Sequence, residues 1–233
     1  MKPVFVYLFL FLFLASAANV SAQTSTSTML TRQQLRDSLA VASEQLSYHP
    51  DSLDLRLRKA GWNLQLEQWQ YAHDEYDYVL RREPYNLAAL FYRAFVNEKQ
   101  QRYKFARLDY ENLLSIVPDH FEARLGLALL NDKDNRYTDA INQINLLVMQ
   151  HPDSAVAYAA RAGMEVERKM YAPAEYDYGK AIELAPSNTD YLLSRANVRI
   201  IMKRKAEARD DLDRMVRLGV SRASLVDWYR KCR

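Results

Sequence analysis

One cysteine, four histidines and five glycines in 233 residues close off several kinds of chemistry before any motif is sought. The lone thiol, Cys232, cannot form a disulfide within the chain and reads as an incidental tail residue. His73 and His120 have no acid or cysteine at ligand-like spacing, and His49 and His151 each begin the same His-Pro-Asp-Ser turn, so no metal site is nominated. No Gly-rich phosphate loop, nucleophile elbow or metalloprotease motif occurs. Paired acids such as Asp210-Asp211 point in different directions on a helix and usually meet solvent, so they nominate no catalytic pair. Neither sign of charge dominates: 32 basic against 29 acidic residues gives +3, which excludes a general attraction to nucleic acid or anionic lipid. The chain therefore reads as non-enzymatic, with no catalytic residue, cofactor or metal ligand.

Long apolar runs are also scarce. The one run, Val4 to Ala15, is shorter than the roughly 20 residues a membrane-spanning helix needs. It follows Lys2 and precedes Asn19-Val20-Ser21-Ala22-Gln23, the layout of a signal peptide over residues 1–22 cleaved after about Ala22. No cysteine follows the run, so a lipid anchor on cysteine is not available. The expectation is export to the periplasm or outer-membrane zone of a Gram-negative bacterium, with no integral span after cleavage. An uncleaved N-terminal anchor is the alternative.

What the chain does have is helix-forming composition, 49% hydrophobic residues and 16 tyrosines. Residues 23–30 form a polar leader. Thr31 with Gln34 then fits a capping box, and Leu35, Leu39, Ala42 and Leu46 share one face of the helix that follows. Prolines fall at Pro50, Pro84, Pro118, Pro152 and Pro186, each 34 residues after the last. Counting each repeat from three residues after a proline, the eighth position is Ala60, Ala94, Ala128, Ala162 and Ala196. The twentieth is Ala72, Ala106, Ala140, Ala174 and Ala208. Five alanines at each of two fixed positions are far beyond chance in one chain and mark a 34-residue repeat. The segment Glu75-Tyr76-Asp77-Tyr78 recurs at 175–178, two residues out of this register; the proline and alanine register is preferred, and it pairs Tyr76 with Tyr178.

This pattern resembles the tetratricopeptide-repeat (TPR) family over about residues 53–220. The family's aromatic at position 17 is present as Trp69, Tyr103, Tyr137 and Tyr171 and lost at Lys205. The resemblance implies an all-α fold, a right-handed TPR superhelix or α-solenoid of antiparallel helix hairpins. Its divisions are a helix at 31–52, repeats at 53–86, 87–120, 121–154, 155–188 and 189–220, and a capping helix at 221–233. In the cap, Leu225, Val226, Trp228 and Tyr229 are expected to cover the last apolar face, with Arg230, Lys231 and Arg233 in water.

A charge pair repeats inside the hairpins. Position 7 holds Lys59, Arg93, Leu127, Arg161 and Arg195, while position 23 holds Glu75, Asp109, Gln143, Asp177 and Asp211. The third repeat drops both charges together, which predicts that the two positions touch.

The family's first helices line the concave face through positions 2, 5, 9 and 12. That carries over to a protein-binding groove of Leu57, Phe91, Phe95, Glu98, Glu122, Leu125, Leu129, Asp132, Leu193 and Asn197. Its floor is apolar and its flanks acidic, which suits a peptide or protein segment with apolar anchors and some positive charge. The family's clamp for a C-terminal carboxylate uses lysine, asparagine and arginine, whereas here position 9 offers only Asn197 and position 5 no lysine, which disfavours a chaperone-tail adaptor. Asn63, Asn97 and Asn131 share position 11 and read as structural. The expected role is an interaction scaffold for a protein or peptide partner. A structural subunit of an envelope or secretion assembly is the alternative, and a divergent enzyme or glycan-binding solenoid a more distant one.

Overall fold

The computed structural model describes residues 30–233; the expected signal peptide and nearly all of the leader lie outside them. The first described helix, α1 (Arg32–Tyr48), starts in the expected capping box: Thr31 Oγ1 accepts from the Gln34 amide at 3.2 Å, and Gln34 Oε1 accepts from the Thr31 amide at 2.8 Å. Leu35, Ala42 and Leu46 form its buried stripe.

Five hairpins follow. They are α2 (Leu53–Gln65) with α3 (Trp69–Arg82), α4 (Leu87–Lys99) with α5 (Tyr103–Ile116), and α6 (Phe121–Lys133) with α7 (Tyr137–Gln150). Next come α8 (Ala155–Glu167) with α9 (Tyr171–Leu184) and α10 (Thr189–Ile201) with α11 (Lys205–Arg217). Every element among the described residues is helical. They fall into two compact units, residues 30–140 and 141–233. In the first, α1 packs on α2, and α3, α4, α5 and α6 each pack on the helix before. In the second, α8 packs on α9, α9 on α10 and α10 on α11.

The same local signals start and stop each hairpin. Two residues after every repeat proline stands an N-cap: Ser52, Asn86, His120, Ser154 and Asn188, whose side chains accept from an amide in the first turn of the following helix. The bend between the two helices is a Schellman turn. The amides of Gln68, Arg102, Arg136, Met170 and Arg204 reach back five residues to the carbonyls of Asn63, Asn97, Asn131, Glu165 and Arg199 at 2.8–2.9 Å. The residue before each of those donors is left-handed: Glu67, Gln101, Asn135, Lys169 and Lys203, at φ 59–62°.

All ten alanines at positions 8 and 20 have no exposed surface. Around them sit the residues of positions 24 and 27, led by Tyr76, Tyr110, Val79 and Leu113. Tyr110 is accommodated by a missing side chain: a Cβ on Gly126 would lie 2.7 Å from the Tyr110 ring.

The end of the second unit is closed by a 3-10 turn, Arg222–Leu225, and a short helix, α12 (Val226–Lys231). Leu225 is buried there, and Trp228 and Tyr229 pack on the same cluster. Two expectations change. Val226 is 43% exposed, because the 3-10 turn rotates it off the covering face. Cys232 is not an incidental tail residue but joins the core cluster at 9% exposure.

The left-handed turn residues carry a cost of roughly 1–2 kcal/mol for any side chain with a Cβ. Lys169→Gly is expected to raise stability by roughly 0.5–1 kcal/mol after the added freedom of the unfolded chain is subtracted. Lys169→Ala should bring no gain, and urea unfolding of the two variants side by side checks this.

Candidate functional site

Eight of the ten expected groove residues stand on the first helices of the 30–140 unit. Leu57 on α2, Phe91 on α4, and Leu125 and Leu129 on α6 are each half-buried, leaving part of every side chain in solvent. α4 and α6 touch directly, so Phe91 and the α6 leucines belong to neighbouring ridges. Phe91 is held from the hairpin side by the edge of Tyr110, at 6.0 Å between centroids, and is stacked on His120 at the same distance. Its ring is thus held on two sides.

Phe95 is placed differently from its position-9 neighbour Leu129. It is buried, with its ring edge-on to Trp69 at 6.3 Å and the Lys99 ammonium 4.9 Å from its centroid. It supports the face from beneath. Of the acids, Glu122 is exposed and lies 3.3 Å from Nδ1 of His120. Glu98 pairs with Lys133 at 3.2 Å, so part of the expected negative charge is already balanced within the unit. Asp132 is half-buried. Leu193 and Asn197 lie on α10 in the other unit; both are half-buried, and Leu193 packs on the core cluster there.

Residues 97–163 match the family model of the tetratricopeptide repeat. Among solved structures, a TPR protein from Parabacteroides merdae is similar, with 20% identity, a TM-score of 0.65, and coverage of 86% of this chain and 78% of that one. MamA from Desulfovibrio magneticus aligns at 17% identity and TM-score 0.63, over 72% of this chain and 95% of its own. YrrB, described as a TPR protein with an unusual peptide-binding site, aligns at 13% identity and TM-score 0.58, over 82% and 99%. No curated protein matches the chain. The fold is that of a tetratricopeptide-repeat protein. At such identities the structural likeness speaks for the fold alone.

Within the TPR hairpins the position-7 base meets the position-23 acid in all four repeats that carry both. Lys59 Nζ lies 2.7 Å from Glu75. Arg93, Arg161 and Arg195 each present Nε and Nη2 to both oxygens of Asp109, Asp177 and Asp211, at 2.5–3.1 Å. These pairs also settle the register, since Asp177 bonds Arg161 in its own hairpin whereas Asp77 bonds Arg93 in the next.

That last bond exposes a role the sequence reading missed. The third guanidinium nitrogen, Nη1, reaches back to position 25 of the preceding repeat: Arg93 to Asp77 at 2.9 Å, and Arg161 to Asn145 at 3.1 Å. Where position 25 is Gly179, the Arg195 Nη1 atom occupies the space instead, 3.7 Å from where a Cβ would stand. Position 11 belongs to the same polar layer. Asn97 donates to Asp109 within its hairpin at 3.2 Å, and Asn131 accepts from Arg107 of the preceding hairpin at 2.8 Å.

At that position the fourth repeat has Glu165, buried, with Oε2 lacking a hydrogen-bond partner. Burial first, and the neighbouring Asp177 charge second, push its carboxyl up to about 7, against the pull of Arg161 and Arg168.

Two predictions follow from the polar layer. Asp177 has 2% of its side chain exposed, so Arg161→Leu leaves a buried carboxylate unpaired and is expected to cost about 3–5 kcal/mol. Adding Asp177→Leu should recover part of that loss in urea unfolding; equal losses in both variants of the cycle would rule out the pair as the cause. For Glu165, the folded carboxyl holds its proton more tightly than the unfolded one, with an ordinary value of 4.5. Its contribution to stability is therefore full below about 4.5 and is lost as pH rises through about 7. Glu165→Gln should melt higher than the parent at pH 8, by on the order of 1–3 kcal/mol, with the advantage shrinking toward pH 4.

Proposed function

We propose that the chain is a non-enzymatic interaction scaffold that holds a peptide or protein segment on the first-helix face of its TPR stack, the side such a superhelix makes concave. The supporting observation is the set Leu57, Phe91, Leu125 and Leu129, half-exposed on α2, α4 and α6 and bordered by Glu122 and Asp132. Burying the exposed remainder of each side chain contributes roughly 25 cal/mol per Å² of apolar surface, and anchors already held on two sides, such as Phe91, lose little entropy on binding. YrrB, of similar fold, is described as having a peptide-binding site, which supports a peptide as the occupant. The acids favour a segment that carries lysine or arginine beside its apolar anchors.

The place of action is proposed from the N-terminal sequence, whose charged, apolar and small-residue order is that of a signal peptide cleaved after about Ala22. The periplasm or outer-membrane zone of a Gram-negative bacterium is the expected site.

A second reading, a subunit of an envelope or secretion assembly, is favoured by one feature. Tyr71, Phe105 and Leu108, on the second helices α3 and α5, are 67%, 59% and 52% exposed. Large apolar groups on that side suit contacts in addition to a groove.

A photo-crosslinker placed at Leu125 in cells is expected to capture a defined partner, and Leu129→Asp should abolish capture without changing the far-UV circular dichroism. Adducts from Tyr71 or Phe105 but none from Leu125 would favour the assembly subunit. Protein recovered from the periplasmic fraction should begin at about Gln23; an intact Met1 there would overturn the cleavage.

A further inference from the structure

Arg209 stands at position 21 of the fifth repeat, and its counterparts show what a charge at that position meets. In the second repeat the counterpart is Arg107, which donates to Asn131 at 2.8 Å and pairs with Asp134, both on the following hairpin. In the fourth it is Glu175, which pairs with Arg199 at 2.7 Å and with Arg204, again on the following hairpin. Each charge is matched by the next helical layer.

Past the fifth repeat that layer is the 3-10 turn and α12, and it imitates a repeat only in part. Tyr229 falls 16 residues after Asp213 and donates its hydroxyl to it at 2.6 Å, as the position-7 arginines do to position 25. What faces Arg209, however, is more positive charge. Its guanidinium lies 5.9 Å from the Tyr229 ring centroid, and that of Arg222 lies 4.7 Å from the same ring. Neither pairs with a carboxylate among the described residues. Together with Arg230 and Arg233 they surround a cleft of about 630 Å³, whose other walls are Ala223, Val226 and Tyr229. The nearby acids are engaged: Asp227 holds Arg230 at 2.8 Å, and Asp213 holds Tyr229. From Arg214 to Arg233 the chain has six basic residues and a single acid, Asp227.

We propose that this cleft is a binding site for an acidic segment of a partner protein. Clustered aspartate or glutamate carboxylates would lie on Arg209, Arg222 and Arg233, with an apolar side chain against Val226 and the Tyr229 ring. The chain supplies its own precedent, since Arg107 takes Asp134 from the next hairpin in the corresponding place. Guanidinium forks match carboxylates two bonds at a time. The concave, partly apolar lining suits a peptide better than a lone inorganic anion. A lipid surface is disfavoured because α12 spans only six residues and offers no long apolar face to lie in a membrane. The site uses none of the first-helix residues proposed above, so the two readings stand or fall separately.

The test is fluorescence anisotropy of the full chain with a labelled twelve-residue peptide of glutamates around a central phenylalanine. Binding is expected, at least about tenfold tighter than for the glutamine version, and weaker as salt rises from about 50 to 200 mM. The double variant Arg209→Gln, Arg222→Gln should lose about tenfold or more while melting as the parent does, and Leu129→Asp should bind unchanged. Equal affinity for both peptides, or an unaffected double variant, overturns the proposal. Displacement of the peptide by millimolar inorganic phosphate would reduce the cleft to a simple anion site. Binding of phosphatidylglycerol vesicles without binding of the peptide would assign it to lipid instead.

Discussion

The close crossing of two helices at paired alanines is the constraint on which the rest depends. With no exposed surface at positions 8 and 20, the two helices of each hairpin can approach as closely as alanine side chains allow. That distance brings a position-7 side chain within reach of position 23 and lets one guanidinium satisfy a carboxylate that is almost wholly buried. A larger residue at the crossing would strain the core by roughly 1–3 kcal/mol. It would also pull the ion pairs apart. Packing and charge are therefore set by one dimension.

The same dimension decides what is left for a partner. Residues at positions 5 and 9 are covered to different degrees by neighbouring helices of both kinds. Leu125 and Leu129, on the helix that α4 touches, keep part of their surface. Phe95 loses its surface because Trp69, a large residue, fills the space beside it. A binding face in such a stack is what incomplete lateral coverage leaves exposed, and its texture follows from the sizes of a few flanking residues.

Much of this was legible in the sequence because it is local or strictly periodic. The capping box needs only Thr31 and Gln34, the N-caps follow the prolines at fixed spacing, and the alanines repeat without exception. The position 7–23 pairs were legible because the third repeat loses both partners at once. The bonds to position 25 were not, since Asp77, Glu111 and Asn145 differ in length and charge and Gly179 has no acceptor at all, so no single residue repeats there. Nor were the left-handed turns, which Glu67, Gln101, Asn135, Lys169 and Lys203 make without a single glycine; the Schellman bonds impose that conformation from outside the residue. For the candidate face, the choice of helices followed from the family resemblance. The burial of Phe95 and the pairing of Glu98 with Lys133 depend on neighbours far along the chain.

The arginines at position 7 bear on where one module ends. Proline spacing cuts the chain between Glu83 and Leu87, yet the Arg93 guanidinium binds Asp77 on one side of that cut and Asp109 on the other. Arg161 does the same with Asn145 and Asp177. The polar network thus runs on across the boundary the sequence displays. A segment excised or transplanted at the prolines would carry an arginine without one of its acceptors at its leading edge. One that begins half a repeat earlier would keep that acceptor but strand the position-23 acid of its leading helix, as Glu75 would be parted from Arg56 and Lys59.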